Sequence, residues 1–504
     1  MNPLKKLASQ TAIYGLSTIL PRLLNYLLVP LFTYKFTDPA EFGINTEIYA
    51  YISFLNIIFT YGMETAFFNF INKSDRKEAV YSTALVSLLV SSFLLIFFGL
   101  IFSSKIAAVL NYGNKVKFIQ WMVLIIATDA IMAIPFAKLR AEQKAGKFAS
   151  IKILNIAINI TLNIFFIHYC KSAYEESITS HSDSFLAKLY VPSIGIGYAF
   201  FANLMANVFS LILLAKQFYG FNYEFDFNLW KKMIRYSAPL LIVGLAGMIN
   251  ETFDRIILKY LLPENSSMHE IGVYGACYKI SILMTIFIQA FKFAAEPFFF
   301  SNATHEDSKK MNAIITKYFA ISCCMIFIAT MMNIEWIKYF ISENYWEGLE
   351  VVPILLLANM FLGIYFNLSI WFKLTEKTKF GAYITIFGSL ITLIINFVFI
   401  PEYSYKASAW ATLASYSSMM VLSFFLGKKY YPIKYNVRSF LFFLTIALLF
   451  FFISKLYHNK TAKEIELIAN NFLVFLFAFI VYKLEFAKIQ NLNSKNENKT
   501  SKSI

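Results

Sequence analysis

Long apolar stretches separated by short polar connectors run the length of this chain, and Lys and Arg crowd into every second connector. An apolar run of about 20 residues is what a helix rising 1.5 Å per residue needs to cross a hydrocarbon core of about 30 Å. In lipid only a helix or a closed barrel satisfies its own backbone polar groups. The pattern places spans, within a few residues at each end, at 11–34, 44–71, 79–103, 118–137, 148–169, 193–215, 236–262, 271–300, 312–333, 351–372, 380–400, 407–427, 439–457 and 465–484. About fourteen crossings follow, so the expected class is an all-α polytopic membrane protein. Basic connectors resist translocation, so their alternation predicts that both termini are cytoplasmic.

Composition agrees. With 58% hydrophobic and 15% charged residues over 504 positions and a mean hydropathy of +0.58, lipid is the solvent for most of the surface. The net charge of +15 is spread over many loops and forms no continuous patch, which excludes a nucleic-acid-binding domain. The richest cytoplasmic connector holds Lys138, Arg140, Lys144, Lys147 and Lys152. Cys170, Cys277, Cys323 and Cys324 show neither metal-ligand spacing nor an outer disulfide framework, so they read as inert. The first apolar segment after Lys5 and Lys6 outruns a signal peptide and is expected to be the insertion signal itself. The longest outer loop, from Lys171 to Pro192, is too short for a catalytic domain. There is no Gly-rich phosphate loop, zinc-protease motif or nucleophile elbow, and His168, His181, His269, His305 and His458 stand singly. The expectation is a non-enzyme without metal or cofactor. The segment Ile334 to Glu350, with Trp336 and Trp346, reads as an outer interfacial loop, a gate being the alternative.

The chain also repeats itself at about half its length. Glu41-Phe-Gly-Ile44 opens span two and Glu270-Ile-Gly-Val273 opens span eight; Asn163 near the end of span five corresponds to Asn396 near the end of span eleven. The offsets are 229 and 233 residues. Each copy begins on the cytoplasmic side and holds six spans, which predicts parallel lobes related by an axis along the membrane normal. The expected organisation is a first lobe at 1–220, a second at 221–430, two added helices at 431–486, and a polar, disordered cytoplasmic tail at 487–504. Two lobes about a central axis are an architecture for alternating access.

Ionisable residues within spans are costly and mark a functional interior by default. They concentrate in spans one, two, seven and eight. Span one carries Arg22 with Thr18 and Asn25 on the same helical face. Span two carries Glu47 and Glu64, span seven Glu251, Asp254 and Arg255, and span eight Lys279, Lys292 and Glu296; Asp129 is a lone acid in span four. Glu251 with Arg255 and Lys292 with Glu296 stand four apart, so intrahelical ion pairing competes evenly with a cavity role. Lys279 has no acid three or four residues away, and Arg22 none nearby, which makes them the better cavity candidates. Fixed cations attract anions, and Arg matches phosphate oxygens bidentately, so a phosphate-bearing substrate is expected.

Several segments then resemble a known family: the first span with Arg22, Pro39-Ala-Glu-Phe-Gly43 leading to Tyr61-Gly-Met-Glu-Thr-Ala-Phe-Phe68, and Tyr236-Ser-Ala-Pro239 with Asp254-Arg255. Gly272-Val-Tyr-Gly-Ala-Cys-Tyr-Lys279 and Tyr345-Trp-Glu-Gly348 complete the set. The chain is similar to Wzx-type oligosaccharide flippases of the multidrug/oligosaccharidyl-lipid/polysaccharide exporter superfamily, through span twelve at least. The resemblance implies translocation of undecaprenyl-pyrophosphate-linked repeat units across a bacterial inner membrane for lipopolysaccharide or capsule. The expected partners are that lipid-linked oligosaccharide, the bilayer and other polysaccharide-assembly membrane proteins. On this reading Arg22, Arg255, Lys279 and Lys292 bind the pyrophosphate, and Thr18 and Asn25 line the cavity. A proton or sodium gradient drives the cycle, with Glu64, Asp129, Glu251, Asp254 and Glu296 as coupling candidates. Alternatives are a lipid II flippase or multidrug exporter of the same fold, and, from another class, a membrane polymerase or glycosyltransferase.

Overall fold

The computed structural model describes residues 19–21, 23–181, 184–301, 307–458 and 462–486, apart from the side chains of 294, 296, 297, 300 and 301. Thr18, Arg22, the opening of the first span at 11–18, the side chain of Glu296, His305 and the tail from 487 therefore lie outside the described residues. All the regular structure described is helical. The principal helices are α1 (Leu28–Lys35), α2 (Pro39–Thr60), α3 (Met63–Ile71), α4 (Lys77–Ile101), α5 (Ser103–Val109), α6 (Val116–Ala141), α7 (Ala145–Asn163) and α8 (Tyr198–Leu214). They continue with α9 (Phe227–Glu251), α10 (Phe253–Leu261), α11 (Glu264–Ser301), α12 (Ser308–Met332), α13 (Val352–Leu368), α14 (Lys379–Tyr430), α15 (Val437–Tyr457) and α16 (Lys463–Val481).

Among the described residues eleven helices are long and apolar enough to cross a membrane. The first expected span begins outside the described residues and is not in that count, and the other differences from fourteen are local. The 52-residue stretch α14 is two helices that meet at a non-helical residue, Ser404 (φ 51°, ψ −141°), three residues past Pro401, so it holds both of the spans expected at 380–400 and 407–427. The expected second span is broken at Tyr61 and Gly62, both left-handed (φ 35° and 68°), which separates α2 from α3. Glycine takes that conformation without penalty, and Tyr61 is held there by its hydroxyl on Ser87 at 2.6 Å. The expected seventh span is likewise divided, at Thr252, into α9 and α10.

Helix starts follow from capping. Asp38 accepts a hydrogen bond from the Ala40 amide at 2.9 Å with Pro39 in the first turn, where its fixed φ fits and its missing donor costs nothing. Asp226 caps α9 through the Leu229 amide at 3.0 Å and also pairs with Arg76, which reaches Glu224 at 2.5 Å.

The chain forms two compact units. Unit 1 comprises Met1–Lys279, Ile341–Gly348 and Thr385–Ser415. In it α6 packs on α4, α8 packs on both α6 and α7, and α9 and α10 pack along α2. One apolar core, with Met63, Phe67, Tyr81, Leu85, Ile134 and Met233 buried, ties α3, α4, α6 and α9 together. Unit 2 comprises Ile280–Phe340, Leu349–Ile384 and Tyr416–Ile504. Here α12 is central, flanked by α13, α15 and α16, and buried Trp371 stacks on Tyr430 at 5.8 Å. Lys317 of α12 pairs with Glu485 just beyond α16, which fixes the two last helices on this unit. These units follow packing; the halves 1–220 and 221–430, the pair 431–486 and the tail are a division by repeat and stand as a proposal.

Candidate substrate path

Unit 1 contains two amide knots at repeat-related places, the first reaching from buried Asn159 and Asn163 to an exposed Asn25 and the second built on buried Asn250, Thr392 and Asn396. In the first half, Asn163 donates to the Asn159 carbonyl at 2.8 Å, and Asn159 donates to the Asn25 side chain at 3.1 Å. In the second half, Asn396 donates to the Thr392 carbonyl at 2.8 Å, and Thr392 donates to the Asn250 side chain at 2.8 Å. Both arise for the same reason: a buried amide in an apolar helix must find acceptors, and the carbonyl one turn back is the nearest. The Asn163/Asn396 register seen in the sequence is thus repeated in the bonds these residues make.

One turn before Asn159 on α7, Asn155 opens a second network that reaches Asp129 through Asn207. Asn207 donates to the Asp129 carboxylate at 2.9 Å and to Thr128 at 3.1 Å, and Asn155 donates to Asn207 at 3.3 Å and to Ser210 at 2.9 Å. Lys152 of α7 lies within electrostatic reach of Asp129 and Glu64, its ammonium over the Phe136 ring at 4.1 Å. Glu64 itself is half exposed and paired with Arg140 at 2.6 Å. Lys152, Asn155 and Asn207 were not singled out from the sequence. Lys152 fell to the basic-connector count, although it stands on the face of α7 that also carries Asn155 and Asn159 at helical spacing.

At the α9–α10 break the sequence-based pairing of Arg255 changes partner. Arg255 donates to the backbone carbonyl of Glu251 at 2.5 Å, and its ion pair is with Asp254 at 3.2 Å. The break at Thr252 (φ −137°) removes the continuous helix that an i,i+4 pair requires. Asp254 and Arg255 are both buried. Tyr274 donates to Asp254 at 2.7 Å, and the Arg255 guanidinium lies over the Tyr278 ring at 4.4 Å. Deleting one member of such a pair costs about 3–5 kcal/mol, because the other charge stays buried alone. Asp254 is therefore committed to Arg255. One turn further along α11, Lys279 is half-buried and lies within electrostatic reach of Arg255 and Glu251. Among the described residues no side chain is within ion-pair distance of its ammonium. Glu251 is exposed.

Glu47, read from sequence only as an acid in span two, is fully buried, and Lys259 Nζ stands 3.0 Å from both of its oxygens. Tyr112 donates its hydroxyl to the same carboxylate, Lys259 also donates to the Leu110 carbonyl at 2.6 Å, and its ammonium lies over the Tyr112 ring at 3.9 Å. Lys259 escaped notice because it stands near a span end, where a lysine ordinarily snorkels to water; its position one turn after Arg255 was the available signal.

Lys292 belongs to unit 2. It lines a small recess together with Lys373, Asn367 and the rings of Phe291, Phe319 and Phe366, and its ammonium lies 4.5 Å from the Phe366 centroid. No carboxylate is among the described residues lining it. Among the described residues no cluster of acids, histidines and cysteines could hold a metal ion, and the four cysteines are buried free thiols.

Residues 7–303 match the family described as polysaccharide biosynthesis protein. An uncharacterized membrane protein of Methanocaldococcus jannaschii is 23% identical over 242 residues, 44% of this chain and 55% of that protein. The chain thus spans about half the length of that curated relative. Among solved structures, the lipid II flippase MurJ in an inward closed conformation is similar with a TM-score of 0.65 at 15% identity, over 94% of this chain and 99% of that one. An inward-facing multidrug resistance MATE family transporter of the MOP superfamily gives 0.63 at 13% identity, over 83% and 97%. The MATE multidrug transporter DinF-BH gives 0.58 at 15% identity, over 87% and 97%.

Proposed function

Because the chain belongs to the polysaccharide biosynthesis protein family, a multi-pass membrane protein with the fold shared by MurJ and MATE transporters, we propose that it flips undecaprenyl-pyrophosphate-linked oligosaccharides. Movement is from the inner to the outer leaflet of a bacterial cytoplasmic membrane, with both termini cytoplasmic, and it supplies a surface polysaccharide. The observation that carries this reading is the imbalance of interior charge. Asp254 is consumed by Arg255, while Lys279 on the adjoining turn keeps its ammonium clear of any ion pair among the described residues. A fixed cation without an ion-pair partner in a low-dielectric interior is an anion site. A pyrophosphate answers it, the polyprenyl tail stays in lipid, and the glycan occupies the polar interior. Arg22 joins Lys279 as a proposed anion contact, and Lys292, in unit 2, is proposed as an anion contact of its own recess. Arg255 acts at one remove, since its charge is shared with Asp254.

Coupling falls to Asp129 on this reading, because Glu64 and Asp254 are already held in short ion pairs. Asp129 instead accepts from a neutral amide and has Lys152 as its nearest charged neighbour in effect. A proton or a sodium ion exchanging at that carboxylate changes the charge of the network one turn from the first-half knot.

Deleting the gene in its host and following lipid-linked repeat units and surface glycan tests the proposal. Accumulation of unflipped undecaprenyl-linked units, cured by the wild-type gene and not by Lys279→Ala at equal protein level, is the expected result. Unchanged surface glycan overturns it and points to drug export. A block in peptidoglycan precursors points to lipid II, and flipped but unpolymerised units point to a polymerase.

A further inference from the structure

The first-half helix α2 and the start of α11 cross with their backbones in contact. A Cβ on Gly43 would stand 1.9 Å from the Met268 carbonyl oxygen, and one on Gly272 would stand 1.9 Å from that of Pro39. The contact is reciprocal, and Gly43 and Gly272 are the same position of the internal repeat, as are Pro39 and Met268. A pseudo-two-fold axis therefore passes through the crossing, as in an isologous interface. One turn beyond Gly43 comes Glu47, sealed by Lys259 and Tyr112. The segment 341–348 closes over the same place. Asn344 donates to the Thr37 carbonyl at 2.7 Å and Tyr345 to that of Phe36 at 2.7 Å, while the Tyr345 carbonyl accepts from Cys277 on α11 at 3.3 Å.

Every member of this cluster sits at or beside a connector that follows an odd-numbered span: 36–38, 110–112, 259–263 and 341–348. All four connectors lie on one face of the membrane, and with cytoplasmic termini that face is the outer one. The pair itself is suited to opening and closing. Burial of Glu47 and Lys259 costs desolvation that offsets most of their attraction, so the closed and the hydrated, separated forms differ little in free energy. A glycine crossing on the axis adds a contact that two repeats can rotate about without moving side chains out of the way.

We propose that this clasp is the outer closure of the transport path, with Gly43 and Gly272 as its pivot and Glu47–Lys259 as a latch broken and remade in each cycle. The inference rests on the transport reading for its purpose and on cytoplasmic termini for its side, but its test reads neither substrate nor product. With the native cysteines replaced (Cys170→Ser, Cys277→Ser to keep a donor to Tyr345, Cys323→Ala, Cys324→Ala), Ser342→Cys places a single thiol at a buried position whose amide donates to Thr33. A membrane-impermeant maleimide applied to either face of oriented vesicles then reports opening. The thiol is expected to be slow to react with Glu47 and Lys259 intact, and about tenfold faster from the outer face with Lys259→Met or Gly43→Ala, the shift in open population that a loss of about 1.4 kcal/mol produces. The double variant Glu47→Lys, Lys259→Glu restores protection. Unchanged labelling in both single variants, labelling from the cytoplasmic face alone, or failure of the charge swap to protect overturns the clasp. A chain that proved to carry a drug or lipid II would overturn the proposed function and leave this result standing.

Discussion

The two amide knots of unit 1 share a backbone-level design and differ in the charge near them. The first joins Asn25, Asn159 and Asn163, and one turn before Asn159 the network of Asn155 and Asn207 reaches Asp129, with Lys152 in electrostatic reach. The second joins Asn250, Thr392 and Asn396 and is completed by the hydroxyls of Ser408 and Ser415, at 2.8 and 3.1 Å from Asn396 and Asn250. A neutral, fully bonded knot is structural: it fixes how helices pack, and has nothing to exchange with solvent. A knot with a carboxylate and an ammonium near it can change state when an ion or proton arrives. The two places thus share a hydrogen-bonding scaffold, and titratable chemistry stands near only one of them.

The strongest way to break this comparison is Asp129→Asn, which keeps the hydrogen-bonding shape and removes the charge. Transport of lipid-linked repeat units in vesicles is expected to lose its response to the ion gradient and to fall about 5- to 150-fold, the span of ordinary coupling energies, while Thr392→Val in the other knot leaves that response intact. Equal losses would show that both knots are only scaffolding. Next in size, Asn250→Leu strips the acceptor from Thr392 and Ser415 and should lower stability by about 1–3 kcal/mol, read as a thermal midpoint in detergent a few degrees below wild type. The transport of the folded fraction should be unchanged. The finest test compares Asn163→Leu with Asn396→Leu. The Asn163 side-chain oxygen is buried without a partner among the described residues, whereas that of Asn396 accepts from Ser408. The first substitution therefore relieves an unsatisfied group and should be less destabilising than the second by about 1 kcal/mol; the reverse order would mean that Asn163 is held by something beyond these contacts.

Much of this design is legible in the order of residues. Membrane crossing follows from run length, and the repeat was visible in Glu41-Phe-Gly-Ile44 against Glu270-Ile-Gly-Val273 because backbone crossings tolerate only glycine at their closest point. The Asn163/Asn396 correspondence was legible for a similar reason: a buried amide repeated in an apolar context is too costly to be incidental. Other features were not legible. Arg255 was paired by spacing with Glu251, and nothing in that spacing announces the break at Thr252 which hands it to Asp254. Lys259 looked like an interfacial lysine because its partner Glu47 is far away in sequence. The segment 341–348 reads in sequence as an interfacial loop with a gate as the alternative, and nothing in it names the partners of Asn344 and Tyr345, since both donate to backbone carbonyls, of Thr37 and Phe36, that any residue could supply.

The sequence by itself therefore determined the solvent, the helical class, the internal repeat and the inventory of interior charges. Those properties depend on local composition and on the energetic cost of placing polar groups in lipid. Tertiary structure alone decided which charges neutralise one another, which lysine keeps its ammonium out of any ion pair among the described residues, and which connectors meet around Gly43 and Gly272. Ion pairing is settled by distances of about 3 Å between groups distant along the chain, and only the packed helices set such distances.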